Sequence, residues 1–278
     1  MAGIQKINRI KERISRVLIS RKKFKWIFII GCYNSGTTLL ARILEQHPKI
    51  AGLPAEGHFL TNKLITPLSV DIPRLWTKKE DLFTIAADEK EDLAKAVLKD
   101  WKKHITKVNA EFILEKSPPD IARLLWLQKN FPDACFIHII RNGYAVALGI
   151  EKKIANEFSH KQDVLRLAAY QWKRSAEIFR RDSEKLNKVL EVSYEELSEN
   201  PVKTIKQITD FLVLSPLEES ILNKSFKIRE LNKVIENQNP ERLKQMTLDE
   251  KRIISSTANN MLIYYGYEKN QPQIGADR

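Results

Sequence analysis

The sequence predicts an α/β fold built on a parallel sheet, and three observations predict it. Short apolar runs rich in β-branched and aromatic residues, at 26–30 (WIFII), 112–114 (FIL), 135–140 (CFIHII) and 189–192 (VLEV), have the near-continuous hydrophobicity of strands covered on both faces. Between them lie segments with helical spacing, such as Leu39, Leu40, Ile43 and Leu44, so strand and helix alternate along the chain. The first strand also runs through a turn bounded by Gly31 and Gly36 straight into a helix.

Composition sets the limits. With 278 residues the chain is long enough for one sizeable domain, and it contains no internal repeat or low-complexity block. Its two cysteines, Cys32 and Cys135, are far apart and each adjoins an expected interior strand, which gives no support to a disulfide framework or a four-cysteine metal site and fits a reducing compartment. Apolar runs reach about five residues against the ~20 of a membrane span, and no signal-peptide core opens the sequence, so a soluble cytoplasmic protein is expected. The formal charge of +12 is uneven: residues 1–25 hold nine Lys or Arg against the single acid Glu12. Ile4, Ile7, Ile14, Val17 and Leu18 recur among them at roughly helical spacing, as in a basic amphipathic helix. Such an extension suits peripheral contact with an acidic membrane surface better than nucleic acid, and packing on its own domain is the plainer alternative.

Taken in order, the first element is the strand at 26–30, which Gly31 ends. Thr37 and Thr38 fall in the first turn of the following helix, where backbone N–H groups lack intrahelical partners. Gly31 and Gly36 bracket CYNS as in a P-loop, whose amides curl around phosphate oxygens. A nucleotide triphosphatase carries lysine directly after the second glycine; here that residue is Thr37, which disfavours a kinase. GCYNSGTTLL resembles the 5′-phosphosulfate loop of sulfotransferases that use 3′-phosphoadenosine 5′-phosphosulfate (PAPS). The resemblance implies a three-layer α/β/α, P-loop NTPase-like fold over residues 26–267, between the basic extension at 1–25 and a tail at 268–278. It assigns Asn34, Ser35, Gly36, Thr37 and Thr38 to the 5′-phosphosulfate.

Gln46, His47 and Pro48 close the first helix, and a short strand at 50–53 leads to Glu56 and His58, just outside a strand end, where ligands of open α/β sheets collect. HPKIAGLPAEGHF resembles the part of the family, tyrosylprotein sulfotransferases included, in which a His-Pro pair precedes a glutamate general base. That makes Glu56 the expected base, with His58, whose ordinary pKa lies near neutrality, as the alternative. Residues 60–110 hold a loop broken by Pro67 and Pro73 and a mixed-charge helix at 88–107 with Leu93, Val97 and Trp101 inward. Phe59, Leu60, Trp76 and Phe83 belong either to an acceptor pocket or to plain core.

Lys116 follows the strand at 112–114 and is placed either to neutralise charge on a transferring group or to pair with Glu115, while Ser117 or a neighbour is placed to cap a proline-started helix through Leu124, Leu125 and Leu127. The run from Glu115 to Ile150 resembles the family continuously. After the strand at 135–140 comes Arg141, whose planar fork suits a phosphate, and the resemblance assigns it the 3′-phosphate. The family's serine eight residues further on is Gly149, for which a backbone N–H or Lys153 is the expected substitute. A helix at 163–186 with Leu165, Leu167, Ala168, Trp172 and Ile178 inward precedes the strand at 189–192. Tyr194 then sits in a family-like turn that seats the nucleotide, and Arg242 and Lys244 lie where the family has a basic loop over it. A helix at 248–262 and the YYGY turn close the fold.

The resemblance as a whole implies sulfonate transfer from PAPS, without a metal, to a hydroxyl or amine of an acceptor left open among sugar, lipid, peptide and small alcohol. One departure touches the chemistry: family loops carry lysine or arginine before the serine, and Asn34 stands there. A nucleotide-binding adaptor that has lost catalysis is therefore an alternative, as is a nucleotide-dependent kinase.

Overall fold

The computed structural model describes residues 16–89, 91–157, 160–228 and 230–269. Five strands, β1 (Lys25–Ile30), β2 (Ile50–Gly52), β3 (Phe112–Glu115), β4 (Cys135–Ile140) and β5 (Val189–Ser193), form one sheet in the order β2-β3-β1-β4-β5. Every pairing is parallel. The chain leaves β1 toward β2 and β3 on one side and later returns to β4 and β5 on the other, so connections diverge at the carboxyl end of β1, the place such sheets reserve for ligands.

Strand alternation builds the three layers. Ile27 and Ile29 of β1 join Cys135, Ile137 and Ile139 of β4 in one apolar cluster, which α1 (Thr37–Leu44) covers with Leu39, Leu40 and Ile43. Trp26, Phe28 and Ile30 point the other way with Phe136, into a larger cluster that includes Trp101, Phe131 and Trp172. There ring centroids stand 5.3 Å apart for Phe28 and Phe131 and 5.2 Å for Trp26 and Trp101, spacings at which aromatic pairs add to their burial. The helices of that layer are α2 (Glu91–Lys102), α3 (Leu124–Asn130), α4 (Gly143–Ile154) and α5 (Lys161–Asp182). After β5 come α6 (Tyr194–Glu199), α7 (Pro201–Phe211), α8 (Asn239–Lys244) and α9 (Leu248–Tyr264).

Several expectations change in detail. The helix expected at 88–107 is the shorter α2, with Val97 and Trp101 buried and Leu93 half-buried. Trp76 and Phe83 are wholly buried core, which removes them from any acceptor pocket, whereas Phe59 is exposed. Asn142 is an N-cap, its side chain accepting from the amides of Tyr144 and Ala145 at 3.0 and 3.3 Å. Ser117 stands at a cap position, but its hydroxyl donates to Glu115 instead. An antiparallel hairpin, β6 (Phe226–Ile228) with β7 (Leu231–Lys233), was not anticipated.

Of the expected N-terminal helix, residues 1–15 lie outside the described residues; residues 16–21 are helical, with Ile19 buried and Val17 and Leu18 exposed. Lys22 Nζ donates to Val108 O at 2.9 Å and Lys102 Nζ to Ser20 O at 3.1 Å, which ties this part to the domain. Among the described residues no helix is long and apolar enough to cross a membrane.

Candidate active site

The loop at 31–36 needs its glycines. Gly31 has φ +149° and Gly36 φ +99°; a Cβ on the first would lie 2.6 Å from Ile139 O and on the second 2.7 Å from the Tyr194 ring. Asn34 adopts φ +67°, a region asparagine tolerates. Among the described residues no side chain caps α1, so its first amides and the positive end of its dipole face the cleft above.

That cleft has a volume of about 460 Å³ and gathers residues from distant parts of the chain: Asn34, Gly36, Thr37 and Thr38 from the loop and α1, Glu56, Lys116, Arg141, Lys153, Tyr194 and Arg242. Ser35, within the loop, is buried and Gly149 lies under Arg242, so neither lines the cleft surface. Two others of the expected residues are not brought in. Lys244 is exposed because two residues along a helix reverse the face that Arg242 presents. His58 is buried below Glu56 rather than in the cleft, with Nε2 3.4 Å from Glu56 Oε2. Burial pulls its pKa down to about 4, so it is a neutral ring shielded from any substrate hydroxyl.

Arg141 is held on several sides. Its Nε donates to Asn239 Oδ1 at 2.7 Å, its Nη1 to Asn34 O at 2.9 Å, and its guanidinium stacks 3.8 Å over the Tyr194 ring. Burial lowers its pKa to about 10, which leaves it charged at neutral pH. Tyr194 is fixed in turn, its hydroxyl donating to Glu236 O at 3.0 Å. Among the described residues, Arg141 Nη2, Asn34 Nδ2 and Ser35 Oγ are buried with no hydrogen-bond partner. Unpaired buried donors cost roughly 1–3 kcal/mol each, so three of them on and against a glycine loop fit a bound anion.

Across the cleft, Lys116 Nζ donates to Glu56 Oε1 at 2.6 Å. Glu115, the expected alternative partner, turns inward: it accepts from Gly57 N at 2.8 Å, and burial with Asp120 nearby holds its carboxyl well above the usual carboxylate range. Trp101 Nε1 donates to Gly57 O at 2.9 Å, so the residue after Glu56 is pinned on both sides.

Arg242 explains Gly149. Its Nη1 donates to Ala145 O at 3.1 Å and would stand 2.0 Å from any Cβ at position 149, so a guanidinium fills the space a side chain there would need. Lys153 Nζ donates to Asn34 Oδ1. Sequence reasoning missed Arg74, which also lines the cleft with its guanidinium 5.6 Å over Tyr33. It has φ +60° and its carbonyl accepts from Gln171 at 2.6 Å; only its position after Pro73 hinted at an unusual turn. It also missed Lys233 and the hairpin that walls the cleft. Among the described residues no group of three or more His, Cys, Asp or Glu is placed to hold a metal ion.

Fold and cleft define an α/β protein of the P-loop-like class, with a cationic cleft over the first loop of its sheet. Residues 27–219 match the model of the Sulfotransferase family, and the chain belongs to that family. It is 25% identical over 222 residues to Protein-tyrosine sulfotransferase 1 of Danio rerio, a match that covers 76% of this chain and 59% of that protein. Among solved structures it is similar to the sulfotransferase domain from the Synechococcus PCC 7002 olefin synthase (20% identity, 85% of this chain and 96% of that one, TM-score 0.56). It is also similar to mouse sulfotransferase SULT7A1 complexed with PAP (17% identity, 87% of this chain and 88% of that one, TM-score 0.52). These likenesses establish the fold expected from the sequence.

Proposed function

We propose that this protein transfers a sulfonate group from PAPS to a hydroxyl or amine of an acceptor. The observation that carries the reading is the set of unpaired donors at Asn34, Ser35 and Arg141, beside a cleft that Lys116, Lys153 and Arg242 make cationic. PAPS supplies the activated sulfonate, and a mouse structural neighbour complexed with PAP supports an adenine nucleotide in this fold. Arg141 and Arg242 would grip the 3′-phosphate, and the loop amides with Thr37 and Thr38 the 5′-phosphosulfate.

Lys116 lies between the two halves of the chemistry. Paired with Glu56 at 2.6 Å, it is shared between that carboxylate and charge developing in the cleft. Glu56, about one-fifth exposed, is within reach of an acceptor and would take its proton. Little covalent work is asked of the protein, which aligns the reactants and offsets charge. A tyrosine hydroxyl is one candidate acceptor, from the name of the Danio rerio relative.

Labelled sulfonate transfer from PAPS to a panel of acceptors tests the reading, together with calorimetry using adenosine 3′,5′-bisphosphate. Glu56→Gln should lower turnover about 10²–10⁴-fold, the usual worth of a general base, while the nucleotide still binds. Turnover of ATP in place of PAPS would refute the donor assignment.

A further inference from the structure

Asn34 gives the loop no charge where charge on a leaving group would develop, yet a cation is delivered there from elsewhere. Lys153, 119 residues further along on α4, donates its ammonium to Asn34 Oδ1. The asparagine is not a loose partner: its backbone is in the left-handed region at φ +67°, its carbonyl accepts from Arg141 at 2.9 Å, and its Nδ2 is buried with no hydrogen-bond partner among the described residues. The loop and α4 meet over Gly149, where a Cβ would stand 3.5 Å from Asn34 Nδ2 and 2.0 Å from Arg242 Nη1. Two departures that looked separate in sequence, Asn34 and Gly149, therefore occupy one contact.

We propose that Lys153 is the charged donor of the glycine loop, that Asn34 is the bracket holding its ammonium at the 5′-phosphosulfate, and that Gly149 leaves room for the arrangement. This deepens the donor reading above and rests on it. The stem of Lys153 is exposed, but its ammonium is drawn toward Asn34; desolvation there, then repulsion from Arg242, Arg141 and Lys233, lowers its pKa to about 8. A cation held against like charges is stabilised by an anion between them.

The alternative within the same site is that Lys153 serves the 3′-phosphate, and binding separates the two. Calorimetry would compare adenosine 5′-monophosphate with adenosine 3′,5′-bisphosphate on wild type, Lys153→Gln, and Lys153→Gln combined with Asn34→Lys. If Lys153 serves the 5′ end, Lys153→Gln weakens both nucleotides by the same factor, about tenfold for one charge-assisted hydrogen bond, and Asn34→Lys restores both. Turnover should follow, dropping about 10²-fold in Lys153→Gln and recovering in the double variant. A loss confined to the 3′-phosphorylated nucleotide, no loss for either, or no recovery in the double variant overturns the proposal. If wild type binds neither nucleotide, the donor reading fails first and this inference falls with it. Since the Lys153 stem is on the surface, thermal unfolding of Lys153→Gln should match wild type, which confirms that each binding change is local.

Discussion

His58 shows how one buried ring constrains the base beside it. Among the described residues neither ring nitrogen makes a hydrogen bond, Nε2 only approaching Glu56 Oε2 at 3.4 Å; the ring packs 4.3 Å from that of Phe59, and burial holds it neutral with a pKa of about 4 against an ordinary 6.5. The folded state thus binds fewer protons at this residue than the unfolded chain between those two values. Its contribution to stability is fully present above pH 6.5 and is lost as pH falls toward 4, by roughly 3 kcal/mol at the limit. His58→Phe, which keeps an aromatic ring and removes the titration, should flatten this acid limb. Urea unfolding at several pH values between neutrality and the acid limit checks it, and a variant with the wild-type slope would assign the acid sensitivity to other groups. The same ring marks the limit of reading residues singly: Glu56 and His58 look equivalent two positions apart in a polar turn, and only packing puts the imidazole below the cleft and the carboxylate at its edge.

At the scale of elements, α4 and α8 meet through Arg242 Nη1 and Ala145 O, and Gly149 is the gap that lets them. Restoring a side chain there sets a flexible guanidinium against a fixed helix backbone, and the guanidinium should yield. Gly149→Ser is therefore expected to leave thermal stability within about 0.5 kcal/mol of wild type, as for a change that displaces only a side-chain end. It should weaken adenosine 3′,5′-bisphosphate binding because Arg242 is pushed from its seat; tighter binding would mean that the serine hydroxyl replaces what the arginine supplied. The strands and the loop were legible because hydrophobic runs and paired glycines are local signals. The hairpin was not: each of its strands has three residues, too few to display a period of two, and among the described residues the two form a sheet of their own. Arg242 was legible as a basic residue near a turn, whereas its insertion over Gly149, 93 residues away, was not.

For the molecule as a whole, a parallel sheet with divergent connections collects Glu56, Lys116 and Arg141 at one edge, so three residues read separately at strand ends become one site once strand order is known. A second groove, of about 490 Å³, lies where residues 16–20 meet α2. Arg16, Lys95, Lys99, Lys102 and Lys103 line that groove over an apolar floor of Ile19, Leu98 and Ile105, and Val17 and Leu18 are exposed on the adjoining helical turn. Basic side chains around exposed apolar ones match a surface that is anionic outside and hydrocarbon beneath, and a nucleic acid would have no use for the apolar part. We propose that this face, which the basic segment 1–15 precedes in sequence, contacts an acidic membrane surface. The full chain should co-sediment with phosphatidylserine vesicles and not with phosphatidylcholine vesicles, and about 1 M salt, which shortens screening to about 3 Å, should release it. Replacing Val17 and Leu18 with Ser should weaken retention at moderate salt even though every charge remains. Retention unaffected by that change, or full displacement by single-stranded RNA, would reduce the face to a general polyanion attractor and sever it from membranes.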